Sequence, residues 1–297
     1  MQESPLVGNL LNIRSYLGAA GCPTQARGQK NAYASCLGTH HRAEMSASSI
    51  RSIARAQRDE SPVASRLDSA IRNKILALLP SEEIAAVVER SEVVEVKSKQ
   101  LLFQPGERLE YVHFPENCVI SLVTVMEDGD QVEAMTVGSD GFAEIPIFHG
   151  VGTSSNKGIG QISGTARRLS IKDFRDLLEE CSGLHRLLHH YAEFVFETVA
   201  QSAACNRLHV IEQRCARWLL MSEDRVGRNR FDLTQEFLAE MLGVRRPGVT
   251  VAMGILEKAG LISHGRGNIT VVNRAGLEKA SCECYRTIRA RQGKLIA

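Results

Sequence analysis

Residues 234–256 read TQEFLAEMLGVRRPGVTVAMGIL, and this stretch decides the fold of the C-terminal part of the chain. Thr234 is placed to cap a first helix, and Gly243 can turn the chain with a positive φ. Pro247 suits the first turn of a second helix, where a missing N–H is tolerated. Apolar side chains at helical spacing fill the angle between the two helices, namely Leu238, Ala239, Leu242, Val244, Val249 and Ala252. The stretch therefore predicts a helix-turn-helix.

The residues around this turn carry groups suited to a nucleic-acid duplex. Polar and basic side chains near the start of a second helix meet bases and phosphates in a major groove. Residues 263–268 (SHGRGN) predict the tip of a hairpin wing, whose arginine would contact the phosphate backbone. We predict a winged helix-turn-helix that binds double-stranded DNA. Its candidate DNA contacts are Thr234, Gln235, Arg245, Arg246, Thr250 and Arg266.

Charge is distributed unevenly along the 297 residues, although the net charge is only +2. Residues 67–180 contain 19 acidic and 11 basic side chains, whereas residues 181–297 contain 11 acidic and 17 basic ones. A polyanion would be repelled by the acidic middle and attracted by the basic end. A DNA-binding surface is therefore expected at the C-terminal end.

Upstream of the helix-turn-helix the pattern changes to short strands. Between about residues 92 and 169, alternating and β-branched runs are separated by turn signals such as Pro105-Gly106 and Asp128-Gly129. No helix-length segment interrupts these runs, which disfavours a parallel sheet. They predict a double-stranded, jelly-roll-like β-roll in an α+β protein.

A long helix is predicted between the roll and the helix-turn-helix. Ser170 caps a short helix over residues 171–180, and Ser182 starts the long one. One apolar stripe has alternating steps of four and three residues and is predicted to pair with a second copy of the chain: Leu184, Leu188, Tyr191, Val195, Thr198 and Ser202. A second stripe is assigned to the roll: Phe194, Phe196 and Val199. The alternative is that the first stripe packs only on its own roll.

Composition places the chain among ordinary globular proteins, with 43% hydrophobic and 24% charged residues. No apolar run reaches the length of a membrane span, and the first residues do not resemble an export signal. Eight irregularly spaced cysteines fit reduced thiols in the cytoplasm. Nucleophile-elbow, phosphate-loop and zinc-protease motifs are missing, so neither an enzyme nor a cofactor is expected.

Five segments follow from these patterns. Residues 1–66 are interpreted as a disordered tail poor in apolar residues, with Met45 as an alternative start. The other segments are a β-roll with flanking helices (67–181), a dimerisation helix (182–207), the winged helix-turn-helix (208–281) and a C-terminal helical tail (282–297).

The order of acidic roll, long helix and winged helix-turn-helix resembles the Crp/Fnr family of bacterial transcription regulators. The resemblance covers about residues 73–277 and is most specific in residues 234–262 and in the roll turns 104–107 and 127–130. It implies a homodimer that inserts two recognition helices into a DNA palindrome, with RNA polymerase as a partner. Arg246 matches the family's recognition-helix arginine, whereas Pro247 stands where many members have a base-reading glutamate.

The family's roll often binds a cyclic nucleotide, and the residues matching that site are Glu144, Ser154, Ser155 and Lys157. Glu144 matches the ribose-binding glutamate, but Ala143 replaces a glycine and Ser154 replaces the phosphate-binding arginine. On the long helix, Val199 and Ala200 stand where the catabolite activator has hydroxyls. Lys157 offers only a point charge in place of the lost arginine. The effector is therefore left unidentified, and cyclic AMP is not expected to bind.

The cysteines and histidines give no metal site by their spacing. Only Cys118 lies within the roll, so an iron–sulfur cluster of the Fnr type is not expected. Cys282 and Cys284 lack zinc-ligand spacing with the other cysteines, and ordinary reduced thiols are preferred to a redox pair. His185 and His189, one helical turn apart, could hold a metal, but exposed polar helix positions are the preferred explanation.

Two alternative functions stay open at this point. In one, the protein is a ligand-sensing or cyclic-nucleotide-binding module whose helix-turn-helix does not read DNA. In the other, it is a DNA-binding regulator that a nucleotide activates after all.

Overall fold

The computed structural model of the chain describes residues 71–265 and 267–295. The predicted tail over residues 1–66, the alternative start at Met45 and the candidate Arg266 lie outside this part of the chain. Within it, the predicted α+β architecture is confirmed: a β-roll, a long helix and a winged helix-turn-helix follow one another.

The roll is built from two antiparallel sheets. A three-stranded sheet has the order β1-β7-β3, and a four-stranded sheet has the order β2-β6-β4-β5. The strands are β1 (Glu92–Val96), β2 (Leu101–Phe103), β3 (Tyr111–Pro115), β4 (Val119–Val125), β5 (Gln131–Val137), β6 (Lys157–Ile162) and β7 (Gly164–Ser170). The accompanying helices are a 3₁₀ turn (Leu76–Leu78), α1 (Ser81–Arg90), α2 (Ile145–Phe148) and α3 (Ile171–Glu180).

The Asp128-Gly129 signal produces the predicted hairpin between β4 and β5. The two strands pair antiparallel, with Ile120 opposite Val137. Gly129 has a φ of +89°, a conformation that glycine adopts without a steric penalty. The Asp128 carboxylate accepts the Asp130 amide at 3.0 Å and stabilises the turn.

An aromatic cluster fills the space between the roll and the long helix. The ring of Phe142 lies 5.4 Å from that of Phe114, 5.9 Å from that of Phe174 and 5.3 Å from that of Tyr191. All four side chains are buried, and the Tyr191 hydroxyl donates to the Phe142 carbonyl at 3.2 Å. Gly141 leaves room for this contact, because a Cβ there would lie only 2.1 Å from the Tyr191 hydroxyl.

The long helix α4 spans Ser182–Leu208 and follows the capped helix α3 as predicted. Of the stripe assigned to the roll, Phe194 is buried as predicted, but the other two residues are not. Phe196 and Val199, assigned to the roll, are 72% and 38% exposed. The stripe assigned to a second copy is instead buried, apart from a half-buried Val195: Leu184, Leu188, Tyr191, Thr198 and Ser202. The Leu184–Ser202 stripe has steps of four and three residues, which suit either partner, so spacing alone does not assign it.

The C-terminal part is a winged helix-turn-helix followed by a further helix. Its small sheet has the strand order β8-β10-β9. The elements are α5 (Ile211–Val226), β8 (Arg230–Asp232), α6 (Gln235–Leu242), α7 (Arg246–Lys258), β9 (Ile262–His264), β10 (Asn268–Val271), α8 (Arg274–Ala280) and α9 (Glu283–Leu295).

Helix α9 is helical as predicted, but it packs on the rest of the fold rather than extending from it. Tyr285 and Ile288 are buried in the main core. Arg291 donates to the Glu197 carbonyl of α4 at 3.0 Å, and Gln292 donates to the Asp140 carboxylate of the roll at 2.8 Å. The last helix therefore joins the long helix and the roll to the winged domain.

Two glycines of the helix-turn-helix should respond oppositely to alanine. Gly243 has a φ of +59°, and a Cβ there would lie 2.9 Å from Val132 Cγ2. We expect Gly243→Ala to lower the free energy of unfolding by about 1–2 kcal/mol. Gly254 lies inside α7 with open space around it, so Gly254→Ala should raise that free energy by about 0.5–1 kcal/mol. Urea unfolding of both variants checks this, and equal effects would contradict it.

Candidate nucleic-acid interface

The turn between α6 and α7 has the capping groups that the sequence predicts. The Thr234 hydroxyl accepts the Phe237 amide at 3.2 Å and caps α6. Gly243 ends α6 in the left-handed conformation. Arg245 is the N-cap residue of α7, and Pro247 lies in its first turn. These local constraints set the direction in which α7 leaves the turn.

The two helices are held together by a continuous apolar contact. Because these side chains are removed from water, the angle between the helices is set by packing. Ala239 is small enough to let the helices approach each other closely. The predicted core residues are buried, apart from a half-buried Val244: Leu238, Ala239, Leu242, Val249 and Ala252.

The predicted contact residues of α7 are exposed near its start. Arg245, Arg246 and Thr250 all lie at the surface, and the last two share a face because they are one turn apart. The Thr250 hydroxyl lies 2.8 Å from Gln235 Oε1. This contact holds the Gln235 side chain of α6 beside the Thr250 side chain of α7. The structure thus brings four of the six candidates to one surface: Gln235, Arg245, Arg246 and Thr250. A fifth, Thr234, is the N-cap residue directly before Gln235.

Two apolar side chains on α7 were missed by the sequence reasoning. Val251 and Ile255 are 60% and 48% exposed, and they lie one turn apart. In the sequence an aliphatic residue within a helix indicates core, so nothing marked them as surface residues. Exposed aliphatic groups on a recognition helix suit contact with thymine methyl groups.

The wing forms where the sequence predicts a hairpin. Ile269 of β10 pairs with His264 of β9, and the Gly265 amide donates to the Asn268 carbonyl at 3.0 Å. Gly267 has a φ of +80°, as a tight tip requires. Arg266 itself lies outside the described residues, so its contact with the phosphate backbone stays a prediction.

Acidic side chains share a groove with the two arginines of α7. This groove lies between the β4–β5 hairpin and the helix-turn-helix. Among the described residues, no ion pair joins Arg245 or Arg246 to a carboxylate. Both guanidinium groups are therefore available to phosphate oxygens. The acidic members of the groove are Asp130, Glu236 and Glu240.

A chain of buried hydrogen bonds joins the roll to α5. Trp218 Nε1 donates to Glu133 Oε1 at 3.0 Å, and Glu133 Oε2 lies 2.8 Å from the Ser121 hydroxyl. Ser121 lies 2.8 Å from Gln161 Oε1, and Gln161 Nε2 donates to Ser222 at 3.1 Å. The chain starts on α5, crosses strands β5, β4 and β6, and returns to α5. The chain thereby links three strands of the roll to the winged domain.

Burial raises the pKa of Glu133 to about 7 from its usual value of 4.5. Hydrogen bonds from Ser121 and Trp218 oppose the shift, as do the nearby cations Arg217 and Arg225 on α5. A neutral Glu133 also fits the hydrogen count, because Ser121 has a single hydroxyl proton. If the protonated Glu133 donates to the Ser121 oxygen, the hydroxyl proton of Ser121 can be donated to Gln161 Oε1, as the orientation of the Gln161 amide requires.

A buried ion pair provides a second link between the roll and the winged domain. Arg225 Nε of α5 lies 3.2 Å from Asp140 Oδ1, and both side chains are buried. Gly138 allows this approach, since a Cβ there would lie 2.5 Å from the Arg225 side chain. A buried ion pair favours one geometry because an unpaired charge is costly.

Glu144 is placed differently from a ribose-binding residue. Its carboxylate lies 2.7 Å from His113 Nδ1 and accepts the His113 amide at 2.7 Å. The Glu144 side chain is 1% exposed, so it serves to hold β3 and α2 together. Its hydrogen-bonding capacity is used inside the chain.

The other candidates for an effector pocket are divided. Ser154 and Ser155 line a groove between the roll and α4, whereas Lys157 and Glu144 are not part of its lining. Ser154 is buried, and its hydroxyl accepts the Asn156 amide at 3.1 Å within a turn. Most of the lining is apolar, including Leu122, Met135, Ile145, Val195 and Val199.

Comparison with known proteins identifies the winged domain. The family model of the Crp-like helix-turn-helix domain matches residues 213–280. FixK2 from Bradyrhizobium japonicum has a similar structure, with a TM-score of 0.53 at 14% identity over 65% of this chain and 98% of FixK2. A CRP-family transcriptional regulator from Thermus thermophilus has a TM-score of 0.54 at 15% identity over 63% of this chain and 96% of the regulator. Among curated proteins, no sequence matches.

A β-roll joined by a long helix to a winged helix-turn-helix is the architecture that these elements define. The matched domain lies in the predicted position, and the similar structures are covered almost completely. Residues 213–280 match the Crp-like helix-turn-helix domain, and the fold of the chain is similar to that of regulators of the Crp/Fnr family. None of the helices described is both long enough and apolar enough to span a membrane.

The raised pKa of Glu133 predicts a pH-dependent link between the roll and the winged domain. Between pH 4.5 and 7 the unfolded chain loses the Glu133 proton before the folded chain does, so the free energy of unfolding falls as the pH rises. Glu133→Gln keeps a donor to Ser121 and an acceptor for Trp218 but does not titrate.

Urea unfolding at pH 5, 6, 7 and 8 measures this link. We expect the stability of the wild type relative to Glu133→Gln to decrease over that range, since all other titrating groups cancel in the difference. A difference that does not change with pH would show that Glu133 titrates normally.

Proposed function

We propose that the protein is a homodimeric transcription regulator that binds palindromic double-stranded DNA. The observation that carries the proposal is the exposed N-terminal half of α7, with Arg245, Arg246 and Thr250 at the surface beyond a left-handed turn at Gly243. A helix presented in this way fits a major groove.

Each candidate residue has a role in this proposal. Arg246 reads a base edge, and Arg245 pairs with a phosphate. Gln235 is held against Thr250, so both reach the same strand of the duplex. Thr234 donates its hydroxyl proton to a phosphate while its oxygen caps α6. Arg266 of the wing contacts the backbone on the other side of the recognition helix.

The exposed face of α4 supplies the surface for a second copy. Its side chains are spaced by steps of four and three residues, as in a two-stranded coiled coil. Two copies related by a twofold axis would therefore pair this stripe with itself and bury Phe196 at the centre. The stripe consists of His185, His189, Ala192, Phe196, Val199 and Ala203.

The ring contacts at the start of this stripe also support a pairing surface. His185 and His189 have ring centroids 4.7 Å apart, and His189 lies 4.8 Å from Phe148. The two histidines therefore form an aromatic edge with α2. Pairing of two such helices would place the recognition helices one helical turn of DNA apart, which requires a palindromic site.

We further propose that cyclic AMP is not the effector of the roll. Glu144 is used by His113, and the hydroxyl of Ser154 lies in a local turn. The groove that Ser154 lines is mostly apolar, which does not suit a cyclic phosphate. The same features weigh against the alternative of a cyclic-nucleotide receptor that does not read DNA.

Selection of bound fragments from genomic DNA tests the proposal and supplies a site for quantitative work. On that site, Arg246→Ala should lower the affinity by about 1–3 kcal/mol, because the variant loses a base contact at an exposed position. Lys258→Ala changes an exposed cation at the other end of α7 and serves as the matched control.

The affinity of the wild type should fall steeply with the logarithm of the salt concentration, as phosphate contacts require. Fluorescence anisotropy with a labelled duplex measures both quantities. Equal affinities of Arg246→Ala and the wild type, or no DNA binding at low salt, would refute the proposed interface.

Substitution of Phe196 tests the dimer. Phe196→Glu places a charge at the centre of the proposed contact and should convert the protein to a monomer. Val93→Glu changes another exposed apolar residue, 56% exposed on β1 of the roll, and should leave the dimer intact. Sedimentation velocity distinguishes monomer from dimer for both variants. A dimeric Phe196→Glu variant would show that the two copies do not pair through this face of α4.

A further inference from the structure

Four side chains with metal-binding chemistry meet where α4 ends and α9 begins. They are Cys205, His209, Cys282 and Cys284, and their ligand atoms all lie within 4.8 Å of one another. The spacing along the sequence gave no zinc motif, because 77 residues separate the first cysteine from the second. The fold brings Cys205 and His209 next to Cys282 and Cys284.

The distances suit a single tetrahedral ion. Cys205 Sγ lies 3.5 Å from Cys282 Sγ, and Cys284 Sγ lies 3.6 Å from His209 Nδ1. Ligands at the corners of a tetrahedron around Zn²⁺ are separated by about 3.5–3.8 Å, given Zn–S bonds of about 2.3 Å and Zn–N bonds of about 2.0 Å. The remaining pairs need to contract by at most about 1 Å. A multi-iron cluster needs ligands that are spread further apart.

His209 has the outer partner that a metal-bound histidine requires. Its Nδ1 faces Cys284, while its Nε2 lies 3.2 Å from the Glu283 carboxylate. A carboxylate on the second ring nitrogen fixes the tautomer and directs the first nitrogen to the ion. Gln201 Nε2 donates to Cys284 Sγ at 3.1 Å and supports that sulfur in the same way.

The three sulfurs are shielded from water. Cys205, Cys282 and Cys284 are at most 2% exposed and form a small cluster of their own, separate from the main core. Two buried arginines on α5, Arg214 and Arg217, lie within electrostatic range of Cys205. Zn²⁺ with three thiolates and one neutral histidine carries a net charge of −1, which these cations would balance.

We infer that Cys205, His209, Cys282 and Cys284 form a Cys₃His site for a single Zn²⁺ ion. Binding releases the thiol protons of the three cysteines to solvent and needs no oxidant or reductant. Cys205 lies on the long helix and His209 directly follows its last residue, whereas Cys282 and Cys284 come after the winged domain. The ion therefore fixes the angle between the long helix and the winged domain.

The first measurement uses the reduced full-length wild type. After removal of metal by a chelator, the protein should bind one Zn²⁺ per chain in competition with a chromophoric chelator. Co²⁺ in place of Zn²⁺ should give the visible bands of a tetrahedral ion with thiolate ligands. Zn²⁺ should also raise the midpoint of thermal unfolding.

Three variants locate the site. Glu283→Gln retains all four ligands and changes an exposed side chain, so it should fold and lose about 10- to 100-fold in Zn²⁺ affinity. Cys282→Ser removes a ligand and should lose more. Cys181→Ser alters another buried cysteine outside the cluster and should bind Zn²⁺ as the wild type does.

Several results would overturn the site. One is a reduced wild type that binds no Zn²⁺. Another is Zn²⁺ affinity that Cys282→Ser retains, which would place the ion on cysteines outside the cluster, such as Cys22 and Cys36. A third is a peptide map of protein isolated without reductant in which Cys205 and Cys282 are joined by a disulfide. That result would show that Cys205 and Cys282 are a redox-active thiol pair rather than two ligands of a metal ion.

Discussion

The contact between Tyr191 and the Gly141–Phe142 turn of the roll is the constraint on which the other surfaces depend. It fixes the rotation of α4 about its axis, because the tyrosine ring sits among buried aromatic rings and its hydroxyl is bonded to the roll backbone. Once that rotation is set, Phe196 faces outward and Cys205 faces the last helix. A single aromatic contact therefore orients both the face available to a second copy and the thiol cluster.

The roll and the winged domain are joined by polar contacts buried within an otherwise apolar boundary. The hydrogen-bond chain through Glu133 and the ion pair of Arg225 with Asp140 both end on α5. Apolar contacts tolerate sliding, whereas buried polar groups lose their partners when the two parts shift. The boundary should therefore switch between a few discrete arrangements rather than deform continuously.

The features that the sequence predicted well are those encoded by neighbouring residues. The caps at Thr234 and Ser170 and the turns at Gly129 and Gly243 follow from local backbone chemistry, and the structure confirms them. The Leu184–Ser202 stripe of α4 was assigned to a second copy but is buried within its own chain, because steps of four and three residues carry no information about which partner a stripe meets. The partner of Glu144 is His113, 31 residues away, and the cysteine cluster joins residues 77 apart. Neither contact leaves a local signal in the sequence.

Helix α9 also has a consequence for how the protein is made. Gln292 bonds to Asp140 across 152 residues of chain, and Tyr285 contributes to the same core as the roll. During synthesis the roll can form its strands and meet α4 and α5 early, but its contact with α9 forms only after Gln292 has left the ribosome. Until then Asp140 lacks its Gln292 partner, and the surface that α9 covers is open to water.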